Sequence, residues 1–357
     1  GIEQLNTRLS EYELTTRYQI VLDKFAEFGV NVRQPEEKNL RFVEGPASIL
    51  YRVKPGQAVA PKRIVEKGDV LKLALALEQD QHIRFGNHKG FVTIDVPKEQ
   101  CDRYFINASD MWGLWESPKN ELVAPIGEDS FGNIISINFS SSNSPHLLIG
   151  GTTGSGKSEA LNTVLDGLIK FYNAGELKLM LVDPKGTELI KYEDAAHLEG
   201  GIGWDDTDAI ELLEGAVEEM QNRYTLLKAL KTRSLPEYNE KVSLDKKMPW
   251  WVVVLDEYAD LTSDKEPKKI IEGHLKRLAQ KSRAAGIHVI IATQKPSSEV
   301  ISTNLRSNLP AQLALRVKSA IESRVIIDEG GAETLNGKGD ALLKSEGKII
   351  RIQCAKT

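Results

Sequence analysis

Apolar and polar positions divide the chain into two textures. Over 9–30, Tyr12, Leu14, Tyr18, Ile20, Val21, Phe25 and Phe28 recur at roughly helical spacing, which predicts an amphipathic leading helix or pair of helices. From 41 to 97, short apolar stretches (47–53, 82–85 and 91–96) alternate with Gly45, Pro46, Pro55, Gly56, Gly86 and Gly90. That is the punctuation of strands and turns, with one helical stretch over 69–77. The segment 101–125 reads as a connector and 141–144 as a polar loop. Beyond it the pattern predicts strands over 134–139, 146–149, 177–182, 250–255, 288–293 and 312–317, with helices over 157–172, 206–230 and 268–285. In the second of these helices Ile210, Leu213, Val217, Met220, Tyr224 and Leu227 step by three and four. Strands alternating with helices imply an α/β fold with a mainly parallel sheet covered by helices. The expected division is a smaller N-terminal α/β domain with a helical leading segment over 1–120 and a larger α/β domain over 121–357.

Composition narrows the class. The length of 357 residues suits two domains at roughly 150 residues each. With 41% hydrophobic and 27% charged residues, the chain is not disordered. Its longest apolar run, 250–255, is far short of the ~20 residues that span a bilayer, and no signal-type leader is visible. Gly1 in place of Met suggests a trimmed start, with room for a membrane anchor outside these residues. Cys101 and Cys354 form no CxxC pair, which excludes a disulfide scaffold or zinc site and fits a reducing cytoplasm. A net charge of -5, from 51 acidic and 46 basic side chains, excludes a polybasic coat. Any DNA binding must come from local patches.

Gly151, Thr152, Thr153, Gly154, Ser155, Gly156, Lys157 and Ser158 match the phosphate-binding pattern GxxxxGK followed by Ser or Thr, with a strand expected before it and a helix after it. Glycines let the backbone wrap so that successive N–H groups point at a β-phosphate, and the helix N-terminus adds positive dipole. Lys157 supplies a mobile cation for the β- and γ-phosphates, and the Ser158 hydroxyl is a magnesium ligand. The second half of such a site is an acid ending a buried strand. Asp256 at the end of the 250–255 run is placed to hold magnesium, and Glu257 to polarise the attacking water as general base. Gln294 ends the next strand, where an amide can touch the γ-phosphate; the plainer alternative is a loop residue bonding backbone. The chain lacks an LSGGQ-like signature and an NKxD base-reading motif, which argues against an ABC-type ATPase and a GTPase and leaves ATP as the expected nucleotide.

With these strands placed, the chain resembles the motor of the FtsK/SpoIIIE family of double-stranded DNA translocases, from about Phe42 to Leu343. The resemblance rests on the phosphate loop, on Leu181-Val182-Asp183-Pro184-Lys185, and on Leu255-Asp256-Glu257-Tyr258-Ala259-Asp260-Leu261. It continues in Gln280 through His288, Ala292-Thr293-Gln294-Lys295-Pro296-Ser297, Ser323 through Asp328, and Gly339-Asp340-Ala341-Leu342-Leu343. It implies a RecA-like P-loop ATPase domain in a hexameric ring, with DNA in the channel and ATP and Mg2+ at subunit interfaces. Arg283 matches the arginine finger given in trans to a neighbour, the alternative being a solvated helix-end arginine. Lys295 and Arg306 match pore-loop positions that meet the DNA backbone, against a reading as ordinary surface cations. Lys295 departs from the arginine usual there, which loses bidentate phosphate capture. Ala320 stands where the family often has lysine, and the stretch between Lys185 and Asp256 is short. The resemblance takes in no C-terminal winged-helix domain of the kind into which many members continue, so a sequence-reading function is not expected from these residues. The competing function on the same fold is a protein-secretion or assembly ATPase. Localisation is expected to be cytoplasmic for the motor, with membrane tethering or partner proteins lying outside these residues.

Overall fold

Ser10 starts the first helix. Its hydroxyl accepts from the Glu13 amide while the Glu13 carboxylate accepts from the Ser10 amide, a capping box that satisfies two free donors. The helix, α1 (Glu11–Glu27), buries Leu14, Tyr18, Val21 and Phe25 of the stripe its spacing predicts, while Tyr12 and Phe28 of that stripe are exposed. The chain is described by a computed structural model over residues 8–357; residues 1–7 of the expected N-terminal domain lie outside the described residues.

Behind α1 stands a small antiparallel sheet. Its strands are β1 (Val32–Arg33), β2 (Phe42–Glu44), β3 (Ser48–Pro55), β4 (Arg84–His88) and β5 (Phe91–Pro97), in the order β1-β3-β5-β4 with β2 also pairing β3. Two short helices, α2 (Pro61–Val65) and α3 (Gly68–Ala74), complete its core of Phe25, Tyr51, Val53, Ile64, Leu71 and Ile94.

The rest of the chain builds one large sheet. Helix α4 (Ala108–Leu114) leads to β6 (Val123–Asp129), β7 (Ile134–Asn138), β8 (His146–Gly150), α5 (Lys157–Phe171), β9 (Leu177–Val182) and β10 (Leu198–Gly203). Then come α6 (Asp206–Ala229), α7 (Leu235–Lys241), β11 (Trp250–Leu255), α8 (Tyr258–Leu261), α9 (Lys265–Lys281) and β12 (Ile287–Thr293). The chain ends with α10 (Thr303–Ser307), β13 (Ala311–Ala314), α11 (Ala320–Ile327), β14 (Asp340–Ser345) and β15 (Lys348–Cys354). The strand order is β10-β9-β11-β12-β8-β13-β14-β15-β6-β7. From β10 to β13 all neighbours are parallel, and from β13 onward all are antiparallel.

Burial explains the continuous apolar runs. Along β11, Val253 and Leu255 point into one core with α6 and α9, while Val252 and Val254 point into the other with α5. A strand covered on both faces has no polar side to alternate with. The antiparallel half was not anticipated. Strand β6 carries Pro125 and Gly127 with a register irregularity between them, so no strand is read there and its residues 123–125 fall in the expected connector. Gly127 is required there, because a Cβ would lie 2.0 Å from the Gln353 carbonyl oxygen. The expected strand over 312–317 ends early at Ala314, where Leu315 leaves the ladder and its amide donates to the Gly150 carbonyl.

At the amino ends of β8 and β12 two imidazoles are wholly buried. The Val289 amide donates to His146 Nδ1 at 3.0 Å, and His288 Nδ1 donates to the Pro145 carbonyl at 3.0 Å. Burial, the main cause, holds His146 down to about 4 and His288 to about 3. Both are therefore neutral when folded but titrate near 6.5 when unfolded, so their contribution is present above pH 6.5 and lost as pH falls toward 4. Urea titrations should show roughly 2 kcal/mol lost per histidine between pH 8 and pH 5. His288→Asn, which keeps a donor for Pro145, should flatten that slope by about half its histidine component.

Candidate functional site

Strand β8 delivers the chain to its phosphate loop at Gly150, and α5 leaves it at Lys157. The loop is braced from both sides. The Gly151 amide donates to Thr293 O at the tip of β12, and the Thr152 amide and hydroxyl both donate to Arg316 O beyond β13. Gly156 is needed for two reasons. Its φ is 97°, and a Cβ would lie 2.5 Å from the amide nitrogen of Gly339. The Gly339 amide in turn donates to Ser155 O at 2.9 Å. The turn 336–339 thus lies directly on the phosphate loop.

At the centre Lys157 Nζ sits 2.9 Å from Asp256 Oδ1 and 3.0 Å from Glu257 Oε1, with all three side chains buried. Burial alone would depress the ammonium, yet the two acids raise it above its ordinary value. Burial raises Asp256 in spite of the lysine. The cluster holds one cation against two carboxyls. Asp256 Oδ2, Glu257 Oε2 and Ser155 Oγ are buried without a hydrogen-bond partner. Glu257 is also held in the left-handed region, at φ 46° and ψ 59°, a non-glycine backbone cost of order 1–3 kcal/mol. Orphaned acidic oxygens beside a phosphate loop fit a hard divalent cation such as Mg2+, which Asp256 and the half-buried Ser158 could hold.

Gln294 stands at this end of the sheet: its Oε1 accepts from the Thr153 hydroxyl at 3.4 Å. Asp183, buried at the end of β9, accepts from the amides of Gly186, Glu188 and Leu189 and shapes the turn there. Arg283 is not brought to the site. It precedes β12 at the opposite end of the sheet, where its guanidinium donates to Ser140 O at 3.4 Å. The seven residues of β12 separate it from Gln294, roughly 20 Å at about 3.3 Å per residue. Lys295 is exposed just past β12. Arg306 is occupied: it donates to the carbonyls of Arg324 and Val325 and to Asp328 Oδ1, closing the carboxyl end of α11.

The loop opens on a cavity of about 630 Å³. Its far wall is Phe105, Lys338, Gly339, Cys354, Ala355 and Lys356, none of which pattern reading placed at the site. Burial first, and Asp340 second, push the Cys354 thiol up to about 12, so it lines the cavity as a neutral group. The only sequence signal for this wall was the Gly339-Asp340 pair.

A phosphate loop, an acid pair on a strand one place removed and a Gln-tipped strand between them define a P-loop ATPase fold and nucleotide site. The FtsK/SpoIIIE family matches residues 110–298. The DNA translocase FtsK of Streptococcus pyogenes is 37% identical over 349 residues, which is 94% of this chain and 42% of that protein. That of Leptospira interrogans is 37% identical over 326 residues, 89% and 34% of the two chains. The chain belongs to the FtsK/SpoIIIE family, and spans less than half the length of these relatives. In fold it is similar to the pCW3 conjugation coupling protein TcpA with ATPγS, at TM-score 0.65 and 23% identity over 96% of this chain and 95% of that one. The Thermomonospora curvata secretion ATPase EccC gives TM-score 0.59 and 26% identity over 70% and 30% of the two chains.

Removing the central cation strands two buried carboxyls. Lys157→Met should cost about 3 kcal/mol in urea unfolding at pH 8, and adding Asp256→Asn should recover at least a third of it. No recovery in the double variant would mean the triad is not one electrostatic unit.

Proposed function

We propose that this chain is the motor of an ATP-driven double-stranded DNA translocase. The observation that carries the chemistry is the Glu257 carboxylate, fixed beside the phosphate loop with one oxygen unpartnered. The 37% identity to DNA translocases over 94% of the chain carries the substrate. Identity to the secretion ATPase is lower and covers less, so the protein-pump reading ranks second.

In this reading the amides of Thr153, Gly154, Gly156, Lys157 and Ser158 receive the phosphates while those of Gly151 and Thr152 brace the loop, and Lys157 exchanges its carboxylate partners for phosphate oxygens. That exchange frees Glu257 to accept a proton from the attacking water, which Gln294 orients. Asp256 and Ser158 would hold a magnesium ion, which would supply charge neutralisation for the phosphates. Arg283, out of reach of its own site, acts on the site of a neighbouring copy, in a homo-oligomer of hexameric form. Lys295 contacts the DNA backbone on the channel side. Arg306, tied to the carboxyl end of α11, serves instead to hold that helix.

Duplex DNA should stimulate ATP hydrolysis, with stimulation falling steeply between 50 and about 200 mM salt, as phosphate contacts require. Glu257→Gln should lower kcat at least about 100-fold while retaining nucleotide binding. A rate indifferent to duplex DNA at low salt would remove the translocase reading. Mixing Arg283→Ala with Lys157→Ala subunits should restore activity at sites pairing an intact loop with an intact finger; no recovery at any ratio would refute the trans role.

A further inference from the structure

The turn lying on the phosphate loop is held by a residue of the linker from the small sheet. Arg103 is buried, and donates from Nη1 to Asn336 O at 3.0 Å and from Nη2 to Gly337 O at 2.9 Å. Nη2 also reaches Gln353 Oε1 at 3.2 Å, and Gln353 Nε2 donates to Lys338 O at 2.8 Å. Three successive carbonyls of one turn are thus fastened by two side chains. The turn needs that restraint, because Gly337, Lys338 and Gly339 all have positive φ (73°, 50° and 94°), and Lys338 has no glycine's freedom.

The same turn grips the small sheet. Asn336 Nδ2 donates to Ala47 O at 2.9 Å, the carbonyl that also accepts from the Lys98 amide. The Tyr104 amide donates to the adjacent Pro46 carbonyl. Below it, Arg351 bridges Asp340 and Asp95 of β5, and the Asp340 carboxylate accepts from the Asn336 amide at 2.8 Å. Phe105, two residues past Arg103, lines the nucleotide cavity. The small sheet, linker, turn and phosphate loop therefore form one continuous set of directional contacts.

We propose that Arg103 is a positioning residue that couples the small N-terminal sheet to nucleotide binding, by holding the turn 336–339 against Ser155 and Gly156. The inference rests on the nucleotide-site reading above. It makes the seating of the small sheet a determinant of ATP affinity, and nucleotide occupancy a determinant of how that sheet is seated. The reciprocity is a thermodynamic necessity of linked binding.

Two readouts separate this from plain structural support. Arg103→Ala should raise the KM for ATP about tenfold, as loss of its two charge-assisted bonds to the turn and of the one to Gln353 implies, with a change in kcat of less than about twofold. Arg103→Lys, which keeps the charge but gathers its donors on one nitrogen and so loses the fork, should fall between. In the wild type, ATPγS should slow hydrogen exchange at the Lys98 and Tyr104 amides, outside the cavity, and Arg103→Ala should abolish that slowing while protection of the phosphate loop persists. Asn336→Ala, which cuts only the bond to Ala47 O, should also abolish it, and so tests the coupling if Arg103→Ala does not fold. An unchanged KM in Arg103→Ala, or slowing at Lys98 and Tyr104 that survives Asn336→Ala and Arg103→Lys, would overturn the proposal. Lys157→Ala is the control for the underlying site. If it binds ATPγS normally, the nucleotide-site reading itself fails; if it abolishes binding while Arg103→Ala is silent, only the coupling fails.

Discussion

One ammonium between two buried carboxyls fixes the geometry of the nucleotide end. Lys157 opens α5 after β8, whereas Asp256 and Glu257 close β11, and β12 runs between those strands. Two strand spacings amount to about 9.6 Å, a gap that a lysine can bridge and a shorter cation cannot. The bridge at 2.9 and 3.0 Å therefore requires the strand order, the lengths of β8 and β11 and the start of α5 to be correct together. A shift of one residue in β11 would move the acids to the other face of the sheet and leave a buried charge unpaired. Fold and site are specified by the same contact.

In the proposed function that contact is also given up when nucleotide binds. A buried pair is costly to desolvate, and here the two acids outnumber the cation, so the cluster has an unmet demand for positive charge. The strained backbone of Glu257 and the orphaned oxygens of both acids belong to the same condition. Structure that served stability alone would replace such a group with packed apolar side chains. Stability here is sacrificed to a carboxylate fixed in direction and a lysine free to change partner.

What pattern reading could see follows from the range of the interactions. Buried parallel strands announce themselves as apolar runs, and the phosphate loop is contiguous, so β8, β9, β11, β12, Lys157 and Asp256 were all legible. Strand β6 was lost because Pro125 and Gly127 interrupt it, and the glycine answers to Gln353, more than two hundred residues away. The cavity's far wall was invisible for the same reason: Phe105, Lys338 and Lys356 meet only after the antiparallel strands are laid down. Arg306 shows a different limit. A cation in a short helix looks alike whether it meets phosphate or, as here, two carbonyls of α11 and the Asp328 carboxylate at its end.

Arg283 carries the last constraint. Its loop is firmly held: Arg223 Nη1 donates to Ala285 O at 2.8 Å, the Leu235 amide to Ala284 O, and the Ser282 hydroxyl meets His146 Nε2 at 3.3 Å. An arginine so anchored at one end of a parallel sheet cannot fold back to a phosphate at the other. If it meets a γ-phosphate at all, the phosphate belongs to another copy, and the contact joins unlike ends of the two molecules. Contacts of that kind propagate until they close into a ring or run on as a filament. The net charge of -5 does not oppose such an assembly, because it is unevenly spread. Glu211, Glu214 and Glu218 line the exposed side of α6, while Lys269, Lys276, Arg277 and Lys281 line that of α9, which ends just before Arg283. The two faces lie side by side, tied by Glu214 and His274 Nε2 at 3.8 Å, so local patches rather than net charge decide which surface meets a neighbour.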